Sequence, residues 1–215
     1  MNFSFLSDYY MLYIDGAMIT ILLSIFTVLM GFILGIGLAL LKVSNNSFRF
    51  LARGYVEFVR GTPILIQIFI VYYGLPLLGL DLPDFISGVI ALSINSSAYI
   101  SEIIRAGIQA IDRGQMEAAR SLGLSKSLAM RYVILPQAFK KILPALGNEF
   151  IVIVKESAIV SIIGIHDLMY NTDTIRGNTF QPFKPLIVAA IIYFILTFTL
   201  SRGVKLIEKR MTLND

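Results

Sequence analysis

The sequence predicts an all-α integral membrane protein of about five transmembrane helices, with a polar helical hairpin between them. Three observations carry this. The chain has 215 residues, 56% of them hydrophobic and only 15% charged, and its mean hydropathy is +0.77; water-soluble domains are more polar. Apolar stretches at 14–41, 61–80, 85–111, 136–165 and 185–207 each reach the about 20 residues that a helix needs to cross a bilayer core. The basic residues gather in alternate connections, the pattern of a cytoplasmic side. A soluble protein with five buried helices is disfavoured, because these stretches exceed the usual length of core helices.

The first stretch, 14–41, is followed by Lys42, Arg49 and Arg53. Gly31 and Gly35 give it a small-xxx-small face suited to close helix packing. Next, "SFRFLARGYVEFVR" (47–60) is basic and aromatic, as an interfacial helix would be. "RGTP" (60–63) offers Thr62 as a helix cap and Pro63 as the first helical residue of the 61–80 span. The 85–111 and 136–165 stretches are apolar but interrupted by polar residues. Arg105, Arg113, Arg120, Lys126, Arg131, Lys140 and Lys141 surround the connection between them, and Arg202, Lys205, Lys209 and Arg210 close the chain. The other connections carry Asp8, Asp15, Asp81, Asp84, Asp167 and Asp173, with only Arg176 and Lys184 against them. This places the N-terminus outside and the C-terminus in the cytoplasm. Tyr9, Tyr10, Tyr13, Tyr72 and Tyr73 then lie toward the outer interface, and Ser87 and Asn171 are expected to be reachable from outside. No lysine or arginine precedes the first stretch, so it does not read as a cleaved signal peptide. There is no cysteine and one histidine, His166, which excludes a disulfide frame and argues against a metal cluster. No internal repeat or linker is evident, so 1–215 reads as a single domain, with 112–135 as its cytoplasmic loop.

That loop includes most of "EAARSLGLSKSLAMRYVILP" (117–136), the most polar run of the chain. Asp112 or Gly114 is expected to open a first helix, with Glu117 in its first turn, where a carboxylate suits the positive helix end. The small Ala118 and Ala119 make a face able to sit close against another surface. Gly123 is a helix stop, Ser125 caps a second helix, and Pro136 begins the next span. On residue types alone, a solvated loop helix is the favoured reading.

The spacing is more telling. "EAARSLG", nine residues, then "VILP" resembles the EAA signature of ABC-importer permeases, with Val133 where isoleucine is usual. "RGTP", "YYGLP" (72–76), "AYISEIIRAGI" (98–108), "GQMEAARSLG" (114–123), "ILPQA" (134–138) and "KESAIVSIIG" (155–164) resemble the polar amino acid branch of that family, of the histidine, glutamine and arginine type. The last segment departs somewhat from the branch's usual Lys-Asp-Thr-Ser-Leu. The resemblance implies a type I importer permease fold. It makes 112–135 the coupling loop, with Gln115, Glu117, Ala118, Ala119, Arg120 and Gly123 as the residues that meet a cytoplasmic ATPase. It implies two such ATPase subunits, a second permease subunit (identical or homologous) and an extracellular or periplasmic amino acid binding protein. The chain has no G-x-x-x-x-G-K-[ST] phosphate loop, so ATP and magnesium would be bound by the partner ATPase and no cofactor by this chain.

A substrate path needs polar groups at mid-membrane. "INSSAYISE" (94–102) and the run from Asn148 to Ser157 supply them. At 1.5 Å per residue, Glu156 lies about 18 Å beyond Pro144, and Asn95 to Ser97 lie about 14–17 Å in from Ile86. A charge at the bilayer centre is unfavourable by roughly 2.5–3.5 kcal/mol, so these groups should face protein or water. The candidate path residues are Asn95, Ser96, Ser97, Tyr99, Glu102, Lys155, Glu156 and Ser157. Glu156 suits a substrate ammonium, and Asn95, Ser96, Ser97 and Ser157 its carboxylate. A structural ion pair of Lys155 with Glu156, without a ligand, is the competing reading. At the level of the whole chain the alternatives are a stand-alone ion-coupled amino acid transporter and a non-transporting membrane anchor for a cytoplasmic partner.

Overall fold

The computed structural model describes residues 3–43 and 47–212, and every regular element among them is helical. Among the described residues, nine α-helices follow one another: α1 (Leu6–Val43), α2 (Phe48–Gly61), α3 (Ile64–Leu77), α4 (Asp84–Gln109), α5 (Arg113–Ser121), α6 (Lys126–Ala129), α7 (Leu135–Glu156), α8 (Leu168–Thr179) and α9 (Lys184–Thr212). A π-helical turn, Met130–Ile134, joins α6 to α7, and a 3-10 segment, Ser157–Ile163, extends α7.

Helix α4 is the centre of the molecule, packed against α1, α2, α3 and α7. Its closest neighbour is α1, and two glycines account for that. A Cβ on Gly31 would stand 2.9 Å from the Ser96 Oγ, and one on Gly35 only 2.7 Å from the Ile100 Cγ2. The small-xxx-small face is therefore the seam between α1 and α4. Leu23, Ile68, Leu92, Val160 and Ile163 join α1, α3, α4 and the 3-10 segment in one core. Near the N-terminus, Phe5 and Tyr13 pack with Leu168 and Ile175 of α8 and Ala189 of α9.

By length and apolarity, α1 and α9 qualify as membrane spans among the described residues, and a third is added if α2 and α3 count as one broken span. Helices α4 and α7 carry the polar residues that weaken their apolar signal. A new helix starts at Thr62 and Pro63 as expected, but Pro63 rather than Thr62 stands at its N-cap and no side chain caps it; both residues are extended, and α2 and α3 meet at 111°. A residue before proline is pushed out of the helical region, and here that restriction ends α2 at Gly61. Helix α3 has 14 residues, about 21 Å of rise, too short to cross a bilayer core alone. Helix α2 packs Ala52, Val56 and Val59 inward, the two valines against Ala98, and exposes Phe48, Phe50 and Phe58.

Helix α8 stands where the sequence predicts only a connection between spans. Asp167 caps it by accepting from the Tyr170 N–H at 2.9 Å. Asn171, expected to be reachable from outside, is buried and donates to the Leu12 carbonyl at 2.8 Å. Ser87 is buried too.

Candidate functional site

Two regions bring polar side chains to the surface of the helix bundle. The first is the hairpin of α5 and α6. Asp112 opens α5, its Oδ1 accepting from the Gly114 N–H at 2.7 Å. Gly123, at φ +86, ends it, a left-handed conformation that a side chain resists. Ser125 caps α6, its Oγ accepting from the Leu128 N–H. The π turn that follows has a cause in the sequence. Pro136 has no N–H and its ring crowds the carbonyl four residues back; the ladder relaxes there, and the Leu135 N–H reaches the Met130 carbonyl, five residues away.

The hairpin divides its residues between two faces. Glu117, Ala118 and Arg120 are exposed, and Arg120 donates to the Leu124 carbonyl at 3.1 Å. Ala119 is not part of that face: it is 4% exposed and packed into the hairpin. Glu117 lies in the second turn of α5 rather than the first, since the helix starts at Arg113. Gln115 faces the spans, accepting from the Gln137 amide of α7 at 3.1 Å. The sequence reading missed Leu122. It sits 85% exposed at the turn, an apolar knob on a polar loop, and its signal was a leucine directly before the helix-stopping glycine.

The second region lies along α4, near its middle. Asn95, Ser96, Ser97 and Ser157 are all buried within the chain. Asn95 donates to the Gln67 Oε1 at 3.0 Å, and the Gln67 amide nitrogen donates to the carbonyls of Val59 and Thr62 at 2.7 and 3.1 Å. This knot ties the bend between α2 and α3 to α4. Ser97 lies 3.0 Å from the Tyr55 hydroxyl, whose proton also reaches the Ile94 carbonyl. Ser157 bonds the Val154 carbonyl, and the Ser96 hydroxyl has no hydrogen-bond partner among the described residues. Glu102 is paired with Lys42 of α1 and with Arg105, whose Nη2 is 2.7 Å away.

Exposed at this level are Tyr99 on α4, Lys155 and Glu156 at the end of α7, and Arg60 at the end of α2. The Arg60 guanidinium stands 5.5 Å from the centre of the Tyr99 ring, a cation–π distance. No salt bridge joins Lys155 to Glu156 among the described residues, so the ion pair considered from sequence does not form within the chain. Arg60 is the second functional candidate that sequence reasoning passed over, because it was read only as part of a helix start.

The family model described as binding-protein-dependent transport system inner membrane component matches residues 28–213. The chain belongs to this family. It is a permease subunit of an ABC importer, a membrane component without catalysis of its own, and membership implies an ATPase and a binding protein as partners. A probable glutamine ABC transporter permease of Bacillus subtilis (strain 168) is 43% identical over 212 residues, which covers 98% of each chain. An arginine transport system permease of the same organism is 45% identical over 204 residues, 94% of this chain and 93% of that one. Among solved structures, an amino acid ABC transporter with histidines superposes at a TM-score of 0.94, with 50% identity, over 98% of this chain and 99% of that one. The inward-facing MetNI methionine ABC transporter shares the fold, at a TM-score of 0.81 and 18% identity. The permease architecture expected from the EAA signature is thereby established.

Proposed function

We propose that this permease carries a polar amino acid into the cytoplasm, as one of two permease subunits over two ATPase subunits that bind ATP and magnesium. The relatives named for glutamine and arginine support the substrate class. The observation that carries the reading is the exposed tip of the α5–α6 hairpin, where Glu117, Ala118, Arg120 and Leu122 stand clear of the spans. A small face beside an apolar knob fits a groove, and the two charges fit its rim. Five crossings put the N-terminus outside and the hairpin and C-terminus in the cytoplasm, in keeping with the basic connections.

For the path, the buried Asn95, Ser96, Ser97 and Ser157 set the shape of α4 and α7. The substrate meets the exposed groups. Glu156 accepts from its ammonium, Arg60 donates to its carboxylate, and Tyr99 and Lys155 line the approach, with Glu102 toward the cytoplasm. The test is ATP hydrolysis by the reconstituted complex, with its binding protein presented with a panel of amino acids. A polar amino acid should stimulate hydrolysis and accumulate inside vesicles; stimulation by sugars or peptides alone would refute the assignment.

A further inference from the structure

The cytoplasmic ends of α4, α7 and α9 enclose, with the start of α5, a cleft of about 700 Å³. It lies behind the hairpin, on the side away from the exposed tip. Its charged lining has both signs: Asp112 and Glu208 are acidic, and Lys140 and Lys141 are basic. Its apolar lining is Ile111 just beyond α4, Pro144 within α7 and Met211 near the end of α9. The Lys141 ammonium uses one donor on the Ala110 carbonyl, at 2.9 Å, and an ammonium has three. Asp112 uses Oδ1 to cap α5, and a carboxylate has a second oxygen to offer.

We propose that this cleft holds the headgroup of an inner-leaflet aminophospholipid of the phosphatidylethanolamine kind. Its phosphate rests on Lys141 and its ammonium on the second oxygen of Asp112, while the acyl chains leave along Ile111, Pro144 and Met211. The lining decides between headgroups. A purely anionic headgroup would leave the second oxygen of Asp112 facing like charge, and a choline headgroup has no N–H to donate. Basic pockets between span ends are ordinary lipid sites; this one adds an acceptor for an ammonium. The position favours lipid over solute, because the apolar walls belong to α7, to α9 and to the chain just beyond α4. The consequence is for coupling. Asp112 caps α5, and Gln115 of α5 is bonded to Gln137 of α7, so a headgroup here braces the hairpin against the spans.

The chain has no cysteine, so Met211→Cys places a single bimane probe at the rim in the assembled transporter. In phosphatidylcholine nanodiscs, acyl-brominated phosphatidylethanolamine should quench the probe at roughly a fivefold lower mole fraction than brominated phosphatidylglycerol or phosphatidylcholine. Adding Asp112→Asn and Lys141→Gln should erase that preference. Asparagine still caps a helix and glutamine keeps a donor, so the hairpin stays folded, and unaltered probe emission without brominated lipid verifies this. Soluble phosphoethanolamine should not relieve the quenching. Equal quenching by all three lipids, preference for phosphatidylglycerol, a preference surviving both substitutions, or relief by phosphoethanolamine would each overturn the proposal. None of these readings depends on which solute the transporter carries.

Discussion

Glu102 and Glu156 are carboxylates on the long helices α4 and α7, yet their surroundings assign them different work. Glu102 is held between Lys42, whose side chain is 10% exposed, and Arg105. Glu156 is exposed and has no ion-pair partner among the described residues. Glu102→Gln should strand the Lys42 ammonium and lower the yield of folded permease, through part of the about 3–5 kcal/mol that a broken buried pair typically loses. Adding Lys42→Met should restore the yield. Glu156→Gln should assemble normally, keep basal ATP hydrolysis and lose transport; uptake at the parental rate would remove Glu156 from the path. Arg60→Gln should match it, with the loss falling on substrates that keep a free carboxylate. Sequence alone gives Glu156 an expected depth, by counting residues along a helix. It could not tell inward from outward at Asn95 or Ser97, because those faces are set by α2 returning against α4, a contact made across nearly forty positions of chain, about 39 between Tyr55 and Ile94.

At the scale of the element, the bend between α2 and α3 and the hairpin of α5 and α6 are each fixed by a few named groups. The bend depends on Gln67, which donates to Val59 and Thr62 and accepts from Asn95. Gln67→Leu leaves those buried partners unsatisfied and should destabilise the complex by about 1–3 kcal/mol. Asn95→Leu acts through the same link, so the double variant should fall short of the sum; melting of the complex in detergent reads this directly. In the hairpin, Ala118 and Ala119 should part company. Ala118→Arg should leave the permease folded and weaken its hold on the ATPase, whereas Ala119→Arg should lower permease yield, because Ala119 is buried inside the hairpin. The hairpin was legible from Asp112, Gly123 and Ser125, whose capping roles are local. The helix start at Thr62 and Pro63 was legible in the sequence, but the sharp angle there was not, because Gln67 and the packing of α2 on α4 hold it.

For the whole molecule, the order of apolar and basic segments was enough to give the helical class, and the spaced EAA motif to give the family. What the pattern lacked was helix α8, whose residues are mostly polar and whose hold on α1 runs through Asn171 and the buried Leu168. The proposed topology is tested by placing cysteines where the chain is open: Asp81 and Asn178 are exposed and should label in intact cells, while Ser125 should label only after the membrane is opened. The central claim, that this membrane subunit borrows an ATPase through the tip of its hairpin, is tested most directly by Leu122→Asp in proteoliposomes holding permease, ATPase and loaded binding protein. Leu122 is exposed, so the permease should fold and insert as before. The parental complex should couple substrate-stimulated hydrolysis to uptake, and the variant should lose both the stimulation and the uptake. Parental uptake by the variant, or uptake by the parental permease that runs on an ion gradient without ATP, would contradict the account.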